Sequence, residues 1–127
     1  MKKICVFVGS RANYSSIKSV MRAVKAHSNL ELQVVLGASA ILDRFGKVED
    51  LIRKDGFEPD FIFHNIIEGD SPSTMAKSTG MGLMDASMIF NNLKPDILVV
   101  VGDRYEMMSV TLAAAYMNIL IVHTMGG

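Results

Sequence analysis

In Asp96-Ile97-Leu98-Val99-Val100-Val101-Gly102, the residues from Ile97 to Val101 are an unbroken apolar run, rich in β-branched residues and closed by glycine. A strand with one wet face alternates polar and apolar residues. An unbroken run fits a strand covered on both faces, as in a parallel sheet with helices on either side. Lys94-Pro95 ends any helix before it, because proline disfavours helical backbone in the residue that precedes it. The same signature recurs along the chain. Ile4-Cys5-Val6-Phe7-Val8 is closed by Gly9, and Leu32-Gln33-Val34-Val35-Leu36 by Gly37. Phe61-Ile62-Phe63 with Ile66-Ile67, and Ile119-Leu120-Ile121-Val122, complete five strand signals.

Helical patterns fill the intervals. Ile17, Val20, Met21 and Val24 fall at i, i+3, i+4 and i+7, one face of an amphipathic helix. Val48, Leu51 and Ile52 predict a short helix with Gly56 just past its end. Ser71-Pro72 is a cap followed by a first-turn proline, so a helix is predicted from about Ser73 to Leu93. Gly80 and Gly82 lie inside it and lower its propensity by roughly 1 kcal/mol each, which points to close packing or a kink. Tyr105 to Met117 reads as a last helix. Met81, Met84 and Met88, at helical spacing, read as core filler. Cys5 reads as core, and His27 and His64 as structural or surface residues.

Strands alternating with helices, and no hairpin signal, predict a doubly wound parallel α/β sheet, Rossmann-like, of order 3-2-1-4-5. The 127 residues suit one domain with its own core. Half of them are hydrophobic and a fifth are charged, which excludes a disordered chain. Thirteen basic residues balance thirteen acidic ones, so there is no basic excess for nucleic acid. One cysteine excludes a disulfide scaffold. No apolar run is long enough to span a membrane, and Gly9-Ser10-Arg11 interrupts the only leader-like stretch. A cytoplasmic protein is expected, with no membrane partner. No cluster has metal-ligand spacing, and no metal or cofactor is expected.

In an open parallel sheet, ligands bind beyond the carboxyl ends of the strands, where the strand order reverses. That edge collects Gly9, Ser10, Arg11, Asn13 and Tyr14 after the first strand. It also collects Gly102, Asp103, Arg104 and Glu106 after the fourth, and His123, Gly126 and Gly127 after the fifth. Arg11 starts a helix and reads either as a phosphate clamp or as a solvated arginine. Ala12 and Asn13 stand where a dinucleotide fingerprint needs glycine, so an NAD site is not expected. Asp103 reads as an acid/base or as a helix cap. His123 reads as an acid/base, a substrate contact or a structural histidine.

Gly9-Ser10-Arg11-Ala12-Asn13-Tyr14, Gly102-Asp103-Arg104-Tyr105-Glu106 and His123-Thr124-Met125-Gly126-Gly127, in this order, resemble the hydrolysing UDP-N-acetylglucosamine 2-epimerases of sialic- or legionaminic-type sugar synthesis. Leu93-Lys94-Pro95-Asp96-Ile97 is similar as well. The resemblance runs along essentially the whole chain. It implies that residues 1–127 form one Rossmann-like domain, the N-terminal half of a GT-B architecture, with the second, nucleotide-binding domain absent. It also implies elimination of UDP followed by hydration, giving an N-acetylmannosamine-type sugar, in a homo-oligomeric full-length protein. Asp103 and His123 would be catalytic. Gly9, Ser10, Arg11, Tyr14, Arg104, Glu106, Gly126 and Gly127 would bind the UDP-sugar. The family's His-x-x-Gly-Gly-Glu glutamate would follow Gly127, and Thr124-Met125 differs from the Ile-His often found there. The chain alone is expected to be inactive. The alternatives are a small flavodoxin-like binding module and half of a GT-B glycosyltransferase.

Overall fold

A computed structural model describes residues 1–37, 48–63, 71–102 and 106–124, without the side chain of Glu106. The elements in chain order are β1 (Lys2–Val8), α1 (Arg11–Ala26), β2 (Leu30–Leu36), α2 (Val48–Lys54) and β3 (Phe61–Ile62). They continue with α3 (Pro72–Leu93), β4 (Ile97–Val101), α4 (Glu106–Tyr116) and β5 (Leu120–Thr124). The five strands form one sheet in the order β3-β2-β1-β4-β5, and every pairing is parallel. That is the expected order. The Ile66-Ile67 part of the third strand signal lies outside the described residues.

The unbroken apolar runs are explained by two cores. Ile4, Val6 and Val8 of β1 point to one side with Val34, Leu36, Val99 and Val101, against α1 and α2. Cys5 and Phe7 point to the other side with Val35, Leu98 and Val100, against α3 and α4. Side chains alternate across a strand, so a central strand with helices on both faces needs apolar residues at every position. Each fully buried Val or Ile contributes roughly 1.5–3 kcal/mol.

Helix ends follow their sequence signals. The Ser10 hydroxyl accepts from the Asn13 amide at 3.0 Å and caps α1. Gly56, at φ 94°, closes α2: its amide donates to the Arg53 carbonyl at 3.0 Å and the Phe57 amide to the Ile52 carbonyl at 3.0 Å. This paired pattern suits a glycine in the left-handed region. Ser71 caps α3 through the Thr74 amide, with Pro72 in the first turn.

Three expectations change. Val20 is 41% exposed, and the buried stripe of α1 is Tyr14, Ile17, Met21 and Val24. The stripe begins one turn earlier than the apolar pattern showed, because the tyrosine ring serves as a core residue. Met81, Met84 and Met88 are exposed at 39%, 66% and 65%, so they do not fill the core. Ala86, Ile89 and Phe90 are the side of α3 that packs inward. The two glycines of α3 also differ. A Cβ on Gly82 would meet the Ser109 Oγ of α4 at 2.6 Å, whereas a Cβ on Gly80 meets nothing within 4 Å.

Candidate active site

The carboxyl edge is built around two glycines. Gly9 follows β1 and Gly102 follows β4, the two strands at which the order reverses. Gly9 is tightly enclosed: a Cβ there would sit 2.7 Å from the Met107 Cε of α4, 3.1 Å from the Asn13 Oδ1 and 3.3 Å from the Phe7 ring. Gly102 has φ 81°, a backbone region that side chains disfavour. Its amide donates to the Thr124 carbonyl at 2.9 Å, extending the β4–β5 ladder past the strand end.

Asn13 links the pieces. Its Oδ1 accepts from the Gly9 amide at 3.2 Å, and its own amide donates to Ser10 Oγ. The two bonds resemble a capping box, with asparagine in the third helical position reaching back in place of the usual Glu or Gln. Its Nδ2 lies toward Gly102, 3.9 Å from where a Cβ would stand. Asn13 was placed on this edge by the sequence but given no role. The Ser-x-x-Asn spacing was the available signal, and the shorter side chain disguised it.

Arg11 is the first residue of α1 and is exposed. Its guanidinium has no hydrogen-bond or ion-pair partner among the described residues. The first turn of α1 holds no acidic side chain. His123, on β5 opposite Val100, is exposed, and its Nε2 bonds the Gly102 carbonyl. A carbonyl only accepts, so Nε2 is the donor in this bond.

Tyr14 is a correction. The sequence placed it among the substrate-binding residues, but its side chain is only 1% exposed and packs in the core edge-to-face on Phe57. Its hydroxyl donates to the Asp55 Oδ2, which Lys18 also pairs at 2.9 Å. The ring leaves no surface for a ligand.

The structure thus brings together Gly9, Ser10, Arg11, Asn13, Gly102 and His123, and turns Tyr14 away. Asp103, Arg104, Gly126, Gly127 and the side chain of Glu106 lie outside the described residues. Among the described residues no three His, Cys, Asp or Glu side chains group as metal ligands, and no helix is long and apolar enough to cross a membrane. A groove lined by Met1, Lys25, Glu31, Phe57, Glu58 and Asp60 lies at the opposite, amino edge of the sheet.

A family model described as UDP-N-acetylglucosamine 2-epimerase matches residues 22–127. The chain belongs to this family. A relative from Campylobacter jejuni, a GDP/UDP-N,N'-diacetylbacillosamine 2-epimerase (hydrolyzing), is 29% identical over 99% of the chain and 33% of its own length. The crystal structure of the Neisseria meningitidis UDP-GlcNAc 2-epimerase bound to UDP-GlcNAc superposes with a TM-score of 0.79 at 20% identity, covering 97% of this chain and 31% of that one. MurG from Acinetobacter baumannii has the same fold at a TM-score of 0.68 and 15% identity, covering 97% and 35%. These likenesses place the sheet in the GT-B type. The chain spans about a third of the length of the curated relatives it matches.

Proposed function

We propose that this family member forms one wall of the cleft of a hydrolysing UDP-sugar 2-epimerase. The observation that carries the reading is the convergence of Arg11, Gly102 and His123 on one sheet edge, at the strand pair where the order reverses. Arg11 would hold the nucleotide diphosphate: its guanidinium is unpaired among the described residues and sits at a helix start with no competing carboxylate. Gly102 would let backbone approach the ligand closely, and Gly9, enclosed by Met107, Asn13 and Phe7, would shape the turn that presents Ser10 and Arg11. Asp103 and His123 would move the proton at C2. Ser10, Arg104, Glu106, Gly126 and Gly127 would complete this half of the site, and a second domain the other half.

In the first step the proton leaves C2 and UDP leaves C1, giving a glycal. In the second, water adds its hydroxyl at C1 and a proton returns to the opposite face of C2. The substrate would be UDP-N-acetylglucosamine or a related UDP-acetamido sugar. The diacetylbacillosamine named for the Campylobacter relative supports including such sugars. The same reading extends to a cytoplasmic enzyme, homo-oligomeric at full length, serving sialic- or legionaminic-type sugar synthesis. The α1-side face of β5 supports a larger parent: Leu120 and Val122 there are 63% and 42% exposed. A further helix would bury them.

The test measures UDP release from both sugars by the 127-residue chain and by a form extended through a second domain. Turnover is expected from the extended form alone. Equal turnover by the short chain overturns the half-site reading, and no release from either sugar overturns the epimerase reading.

A further inference from the structure

We infer that Asn13 is a ligand-binding residue, whose carboxamide nitrogen donates to an acceptor oxygen of the nucleotide sugar across the sheet edge. The identity of that ligand rests on the 2-epimerase reading above. The geometry of the carboxamide does not. Asn13 Oδ1 is committed, because it accepts the Gly9 amide at 3.2 Å. That bond fixes which end of the amide is oxygen. The nitrogen therefore points the other way, toward Gly102, and brings two N–H donors with it.

No acceptor for these donors is present among the described residues. Asn13 is half-buried, so its two donors sit at the wall of the edge, within reach of solvent and of an incoming acceptor. Gly102 keeps the space open. Any side chain at that position would start 3.9 Å from Nδ2 and cover it. Asn13 also lies two residues after Arg11 on the same first turn of α1. Both residues thus stand at the carboxyl edge of β1.

The two ends of the amide are separable by substitution. Asn13→Asp keeps an oxygen for the Gly9 amide and turns the donor end into an anionic acceptor. Asn13→Ala removes both. The experiment titrates the isotope-labelled 127-residue chain with UDP-N-acetylglucosamine and follows the Asn13 side-chain NH2 resonances with the backbone amides of Gly9, Arg11 and Gly102.

The expected result is a saturable shift of the side-chain NH2 together with those amides. Asn13→Asp should then weaken binding by about tenfold or more, since a repelling acceptor replaces a donor, while the Gly9 amide stays protected from exchange. Asn13→Ala should lose that protection as well. If the backbone amides move and the side-chain NH2 does not, or if Asn13→Asp binds as tightly as wild type, this assignment is overturned and the nucleotide-sugar reading stands. If nothing at the edge moves while the extended protein still releases UDP, this assignment falls alone. If neither occurs, both fall.

Discussion

The Tyr14 hydroxyl donates to Asp55 Oδ2 at 2.6 Å, joining the first turn of α1 to the residue that follows α2. Lys18, one turn along α1, holds the same carboxylate and lies 5.8 Å from the Tyr14 ring centre. The bond lies one residue beyond Asn13, so it also anchors the helix start that carries Arg11.

Tyr14→Phe should therefore lower the melting temperature by a few degrees, with a definite pH signature. The Tyr14 hydrogen bond, followed by Lys18, holds the Asp55 carboxyl below its ordinary range. The unfolded chain then takes up that proton first, so the carboxylate's contribution is complete above about pH 4 and is lost on further acidification. Burial, and next the Asp55 hydrogen bond, push the Tyr14 phenol well up. Its contribution is complete below about pH 10 and is lost above that, as the unfolded state ionises first. Denaturant melts across pH should show a wild-type advantage that is level at neutrality and shrinks at both ends. An advantage constant from about pH 3 to about pH 11 would sink the assignment.

The glycines of α3 give opposite expectations. Gly82→Ala drives a methyl into Ser109 of α4, whose hydroxyl is already bound to the Thr79 carbonyl at 2.8 Å. A loss of about 1–3 kcal/mol is expected from such overpacking. Gly80→Ala enters open space and should gain up to about 1 kcal/mol in helix propensity. Urea midpoints of the two variants check this, and equal signs would refute it.

Much of this was legible in the sequence. Five apolar runs closed by turns gave the strands and their order, because only a doubly covered strand needs apolar residues at every position. The convergence of Gly9, Arg11, Gly102 and His123 followed from that order. Tyr14 was misplaced because loop position was weighed above its ring, and a large ring at the start of an apolar stripe packs inward. Asn13 was passed over because its side chain is shorter than the Glu or Gln that usually reaches back from the third helical position to the backbone before the helix. The methionines of α3 were misread because apolar character at helical period marks a face without saying which face is covered.

That misreading has its own test. Met84→Gln with Met88→Gln should leave stability within about 0.5 kcal/mol, as expected for exposed positions. Ile89→Ala, beside them on the inner face, should cost about 2–5 kcal/mol. Thermal melts of both variants distinguish the faces, and a large loss from the methionine pair would contradict their exposure.

Cys5 is fully buried in β1, and its thiol is pushed up to about 12, chiefly by burial and then by the negative charge of Asp60. A neutral thiol without solvent access does not react. Alkylation at neutral pH should be negligible in the native protein and rise with urea in step with loss of helical signal. Rapid labelling without denaturant would show that β1 is not closed.

The place of β1 in the sheet has a consequence for how the chain is made. The strand is synthesised almost first, yet one edge waits for β2 and the other for β4, which leaves the ribosome only after most of the chain. Until then Ile4-Cys5-Val6-Phe7-Val8 is a sticky segment with an open edge, of the kind that draws neighbouring nascent chains together. Lys2 and Lys3 before it, and Arg11 after it, are the charged side chains nearest to it in sequence, and they help to keep it apart from its copies.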